Sequence, residues 1–278
     1  MRFKARIRNL ALEEGVPAQV VLQNFMFERF FARLCKASVR ENLVLKGGTL
    51  ISQYLGLSRR TTMDIDITLC NAPLTRASVT KVVKKVFAVA LDDGIGWKLN
   101  SIAPIRGDDE YGGFRLRVVA TLDTVLVPFT IDISTGDAIT PEPEDYFFKS
   151  MFEANASYRL RAYTVETVIA EKLEAILSLG TLSTRPRDYY DAYMLTTAIR
   201  YGNRKLRDSL RATVGHRKSG DALSDWGRTL AAIRQSEVMK ERWRKYQREY
   251  SFAKGISFAS VCDQLAAVFE KVVGASDL

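Results

Sequence analysis

Asp64 and Asp66 flank Ile65 in Met63–Leu69 (MDIDITL), a segment whose period-two alternation reads as a strand. Alternation places both carboxylates on one face and Met63, Ile65 and Ile67 on the other. Two carboxylates about 7 Å apart along a strand repel one another unless a cation sits between them, and a divalent metal supplies that cation. A third acid, Asp132, interrupts the apolar run VPFTIDIS (127–134). If the two strands are neighbours, Asp64, Asp66 and Asp132 form a cluster able to hold two Mg2+ or Mn2+ ions. The plainer alternatives are a solvent-facing acid pair and an acid at a sheet edge. Asp123, in the turn before that run, reads as a hairpin residue.

Lys46-Gly47-Gly48-Thr49 lies ahead of this strand. Two glycines between a strand and a helix let backbone approach a ligand closely, and the helix N-terminus with its Thr hydroxyl offers donors to a phosphate. A plain turn capped by Thr is the alternative, and the Walker A pattern GxxxxGK[ST] is absent. Arg60, next to Arg59, leads into the acidic strand, where it contacts phosphate, pairs with Asp64 or simply meets solvent. Downstream, Lys172 lies in the helical stretch EKLEAI (171–176), poorly spaced for a helical ion pair with Glu171 or Glu174. Pro186 suits the first position of a helix, which places Asp188 and Asp191 on one face near its positive N-terminus, with plain helix-capping acids as the alternative.

The elements that must position these groups follow from periodicity. Helices are expected in the first forty residues, where Val20, Val21, Phe25, Phe27, Phe31 and Leu34 recur near helical spacing. A short strand at 42–46, a helix at 49–55, the acidic strand and a helix at 75–91 follow. Strands are expected at 97–105, 114–122 and 125–134, the last two paired, with one more at 158–163. From Thr164 the pattern is helical, at 165–179, 187–201, 203–213, 222–236, 238–249 and 257–273. The expected class is α+β, a mixed sheet with flanking helices followed by a helical C-terminal half. The turn TPEPED (140–145) gives the division into 1–145 and 146–278.

FMFERFFARL (25–34), LVLKGGTLI (43–51), RRTTMDIDI (59–67), TVETVIAEKLEAIL (164–177) and RPRDYYDAYML (185–195) occur in an order that resembles the AbiEii/AbiGii-type nucleotidyltransferase toxins, relatives of polymerase β-like transferases. The resemblance implies a nucleotidyltransferase-type sheet and transfer of an NMP from an NTP to an acceptor hydroxyl. It also implies the toxin part in a toxin–antitoxin or phage-defence pair, and hence a cognate antitoxin. By the same resemblance Lys172 binds the triphosphate, Asp188 or Asp191 orients that lysine or the base, and a tRNA 3′ end is the first acceptor. The acids Asp64, Asp66 and Asp132 then act through metal, while Lys46, Gly47, Gly48, Thr49 and Arg60 line the nucleotide. Polymerase β-like enzymes commonly carry Gly-Ser where this chain has Gly-Gly-Thr.

The 278 residues carry 41 Lys+Arg, 32 Asp+Glu and a single histidine, a net charge of +9. That histidine, His216, lies in a polar, turn-like stretch, which argues against a His-based triad or a multi-His zinc site. Residues 185–254 hold 17 basic and 8 acidic side chains, so the excess is concentrated there. RWRKYQREY (242–250) interleaves aromatics with Arg242, Arg244, Lys245 and Arg248, a pattern suited to RNA, or else to a solvated helix face whose aromatics turn inward. Three separated cysteines suggest neither disulfides nor a zinc knuckle. No apolar run is long enough to span a membrane and the N-terminus lacks a signal-peptide core, so the expected compartment is the cytoplasm. Protein or small-molecule acceptors, a DxD glycosyltransferase and a non-catalytic RNA-binding module are the competing readings.

Overall fold

The structure, a computed structural model, describes residues 3–105, 112–136 and 139–274. In chain order these form α1 (Phe3–Glu14), α2 (Ala18–Leu34), β1 (Leu43–Lys46), α3 (Gly47–Leu55), β2 (Asp64–Leu69), α4 (Arg76–Phe87), β3 (Ile95–Pro104), β4 (Gly113–Leu122), β5 (Val125–Ser134), β6 (Glu144–Lys149) and β7 (Ser157–Ala162). Helices alone follow: α5 (Val165–Leu179), α6 (Pro186–Ala198), α7 (Asn203–Arg217), α8 (Gly220–Ser224), α9 (Trp226–Gln235), α10 (Glu237–Glu249) and α11 (Phe258–Val272). The class is α+β, as the periodicity predicts. The chain packs as two compact units, Met1–Asp137 with Pro143–Ala162, and Ala138–Glu142 with Tyr163–Leu278.

The first unit holds one seven-stranded mixed sheet in the order β3-β4-β5-β2-β1-β7-β6. β2 runs parallel to β5, and β3, β4 and β5 form an antiparallel meander. One sheet face is sealed by aromatics. Phe27 of α2 meets Phe129 at 5.2 Å, Phe30 meets Trp97 at 6.1 Å, and Phe87 of α4 stacks on Trp97 at 5.4 Å. Such pairs add about 1 kcal/mol each beyond the area they bury. The charges of FMFERFFARL serve this packing. Glu28 accepts from the Ser150 hydroxyl (2.8 Å) and the Met151 amide (2.6 Å), while Arg33 holds Asp93 through two bonds of 2.7 Å.

The TPEPED turn falls on both units: Thr140 accepts bonds from Thr167 and Ser209 within the second unit, whereas Glu144 already opens β6 of the first. β6 is a strand that periodicity did not predict. The second unit is built round α5, whose Ile169, Ala170 and Leu173 are buried, with α6 and α11 packed beyond it. The helix expected at 222–236 is two, α8 and α9, broken at Asp225. His216 lies in the last turn of α7, not in a loop, because the helix extends to Arg217 before Lys218 takes a left-handed φ of 54°. Cys35, Cys70 and Cys262 are free, and no described helix is long and apolar enough to cross a membrane.

Candidate active site

β2 and β5 pair in parallel with Asp66 opposite Asp132, so the register alone brings the third carboxylate beside the first two. One oxygen from each of Asp64, Asp66 and Asp132 lies within 4.8 Å of the others. Ile65, Ile67, Ile131 and Ile133, the alternating neighbours, are fully buried and fix the acids on the opposite face. Burial, then the Asp64 charge, pushes the Asp66 carboxyl up to about 6; the Gly48 amide and Lys46 oppose that rise, and Asp132 adds to it. Three crowded carboxylates of this kind call for positive charge. The all-oxygen donor set suits Mg2+ or Mn2+ rather than zinc, so these residues fit the metal that such a cluster implies.

The glycine turn works on this cluster directly. Gly48 N–H donates to Asp66 Oδ2 at 2.8 Å, using one of the free amides of the α3 N-terminus. Gly47 has φ +58°, and a Cβ there would lie 2.2 Å from Asp66 Oδ2. Only glycine lets the strand-to-helix turn pass so close to the carboxylate. Lys46 is the cross-strand neighbour of Asp66. Thr49 differs from expectation: it is 1% exposed and its hydroxyl donates to the Asp64 carbonyl at 2.7 Å, because the first turn of α3 directs it onto β2. Arg60 also differs. It is 1% exposed, bonded to the Thr61 carbonyl and packed beneath Gly48, so solvent is not its partner.

Two side chains complete the cluster without having been singled out from the sequence. Thr62 Oγ1, two residues before β2 begins, donates to Asp64 Oδ1 at 2.7 Å. Arg115 of β4 stands opposite Asp132 and grips it with a fork, Nε to Oδ1 at 2.8 Å and a terminal nitrogen to Oδ2 at 2.6 Å. Those bonds hold the guanidinium above its ordinary pKa. An ionised carboxylate has about four lone-pair sites, so each Asp132 oxygen keeps one free beside this fork.

In the second unit, Lys172 Nζ lies 2.6 Å from Asp188 Oδ1 and 3.5 Å from Asp191 Oδ2. The lysine on α5 is thus steered by both acids of α6, which share a helix face as their spacing predicts. Pro186 occupies the α6 N-terminus, and Tyr189 and Tyr190 are fully buried around it. On α10 the aromatics turn inward: Trp243 is 2% and Tyr246 4% exposed, and Trp243 Nε1 donates to the Ile256 carbonyl. They cannot stack on bases. Arg242 caps the Thr181 and Ser183 carbonyls, while Arg244 and Arg248 share Glu241 and Lys245 is exposed.

The chain is similar to JHP933 from Helicobacter pylori, at 18% identity over 91% of this chain and 93% of that one, with a TM-score of 0.49. It is similar also to an H. pylori protein described as a nucleotidyltransferase, at 16% identity over 92% and 97% of the two chains, with a TM-score of 0.50. At that identity the second likeness shows the fold, a nucleotidyltransferase-type sheet. Compared by sequence with curated proteins, the chain matches none. The profile of the nucleotidyl transferase AbiEii toxins of type IV toxin–antitoxin systems matches residues 29–266, and the chain belongs to that family.

Proposed function

We propose that this nucleotidyltransferase toxin moves an NMP from an NTP to a hydroxyl of RNA, a tRNA 3′ end first. The observation that carries the proposal is the gathering of Asp64, Asp66 and Asp132 within 4.8 Å, held by a register and a glycine turn built around them. The acceptor oxygen bonds to the α-phosphorus as the bond from that phosphorus to the β-phosphate's bridging oxygen breaks. Pyrophosphate departs with the electron pair, and the hydroxyl proton passes to Asp132. Asp64, Asp66 and Asp132 are the residues that would hold Mg2+ or Mn2+, which when bound would supply the charge that acidifies the hydroxyl and stabilises the triphosphate oxygens.

The remaining residues have roles of their own. Lys46 and the backbone of Gly47 and Gly48 face the nucleotide side of the cluster. Thr49, Thr62 and Arg60 hold the acidic strand and the turn in register. Lys172, steered by Asp188 and Asp191, neutralises the triphosphate. Arg244, Lys245 and Arg248 on α10 offer an outlying contact to RNA through charge alone. A cognate antitoxin acts in the same system, and the reaction takes place in the cytoplasm.

The test is incubation of the purified protein with total RNA, Mg2+ and each NTP in turn, followed by mass spectrometry of RNA, protein and small molecules. An NMP increment on RNA, lost with Asp66→Ala in a folded protein, is expected. An increment on protein or a small molecule overturns the RNA assignment, and transfer by Asp66→Ala overturns the role of the cluster.

A further inference from the structure

The three acids have two unlike flanks. On the β1 side lie Lys46 and the α3 N-terminus, which the proposed reaction fills with nucleotide. On the β5 side the sheet runs on through β4 and β3. In-line displacement puts the attacking oxygen opposite the leaving pyrophosphate, so an acceptor must come from this second flank.

The chemistry of that flank can be read from the register. Leu116, Val118 and Ala120 of β4 are buried on the face sealed by α2 and α4, so Arg115 and Arg117 stand on the other face, with the acids. Arg117 pairs with Thr130 of β5, and Thr130 pairs with Asp64. Two strand spacings, about 10 Å, therefore separate Arg117 from Asp64 on one level of one face. Lys98 pairs with Val119 and alternates with the inward Trp97, which adds a second exposed cation to the same face. Val119 lies between the two cations on this face, and Arg117 is flanked by Ser101 of β3 and Thr130 of β5. Neither β3 nor β4 contains an acidic residue.

We infer that this open face of β4 and β3 is the track of the acceptor RNA, with Arg117 and Lys98 contacting backbone phosphates as the strand's end reaches the carboxylates. The inference rests on the transfer reading above. It locates the acceptor on a surface that a count of charge by chain segment does not reveal, because the cations come from strands in a nearly balanced stretch of sequence.

The experiment compares the wild type, Arg117→Glu with Lys98→Glu, and Lys84→Glu with Lys85→Glu. The last pair removes equal charge from the exposed side of α4, whose buried side and Phe87 pack on the other sheet face. Binding of a 5′-fluorescein-labelled 12-nucleotide RNA and of unfractionated tRNA is followed by anisotropy from 50 to 200 mM salt. NMP incorporation into RNA is measured in parallel. The β4/β3 pair should weaken binding at least about tenfold and reduce the salt slope by about 1.4, two single-strand phosphate contacts, while the KM for NTP stays unchanged. The α4 pair should change binding less than about twofold. Unaltered binding by the β4/β3 pair, equal loss in the α4 pair, or no RNA binding by the wild type overturns the track. Incorporation that persists with an unaffected β4/β3 pair leaves the transfer reading standing, whereas wild type that binds RNA yet never labels it sinks that reading alone.

Discussion

Asp66 is held by a turn that tolerates no side chain, and that makes Gly47 the most sensitive position around the cluster. Gly47→Ala meets both a left-handed φ of +58° and a collision with the carboxylate. It should cost about 1–3 kcal/mol of stability and lower transfer by about a hundredfold or more. Gly56→Ala also sits at positive φ, +85°, but in open space, and should lose stability while keeping transfer. Thermal melts and turnover rates of the two variants separate strain from displacement of Asp66. At this scale the sequence was readable where chemistry and alternation coincide: MDIDITL exposes its acids by period alone, and Asp132 stands out in an apolar run. Arg115 is legible in the sequence too. The two-residue turn at Asp123 and Thr124 pairs Leu122 with Val125, and counting outward brings Arg115 to Asp132. Thr49 misled because a helix start offers its hydroxyl to either side, and only the packing on β2 decides which.

Among the elements, α2 carries charges that do structural work. Arg29 and Arg33 converge on Asp93, whose side chain is 12% exposed. Burial by itself would raise that carboxyl, but the bonds from Arg33 and Arg29 outweigh it and hold it below the usual range. A depressed folded-state pKa means stability that is present above the unfolded value of about 3.9 and lost as pH falls toward the folded one. Asp93→Asn should therefore lower stability by about 3 kcal/mol at pH 7, leaving two buried cations short of a partner. Its deficit against the wild type should shrink below about pH 4, a trend that denaturant titrations at pH 7, 5 and 3 would follow. An unchanged difference across that range would contradict the pairing. Helices were found well from sequence because Met239, Trp243 and Tyr246 of α10, for example, recur at helical spacing. β6 was not, since Tyr146, Phe147 and Phe148 run together without alternation, on an edge where Phe147 is 57% exposed.

Over the whole molecule, the +9 charge has more than one owner. The 185–254 excess reads in sequence as an RNA surface, yet Arg242 is engaged by the Thr181 and Ser183 carbonyls, and Lys240, Arg244 and Arg248 pair with Glu237 and Glu241. Lys245→Glu with Arg248→Glu should thus weaken RNA binding only about two- to fivefold, with a modest change in salt slope and no change in turnover at saturating RNA; filter binding at two salt concentrations checks this. Proximity in three dimensions was the part of the site that sequence could not supply, since β2 and β5 are adjacent only through the sheet order. The central claim is that this cluster transfers a nucleoside monophosphate. Matched reactions with α-labelled and γ-labelled NTP, RNA and Mg2+, run with wild type and Asp66→Asn, test it most directly. The α-label should move to RNA, the γ-label should leave as pyrophosphate, and Asp66→Asn should do neither. Label reaching RNA from the γ position, or equal α-transfer by Asp66→Asn, would contradict the claim.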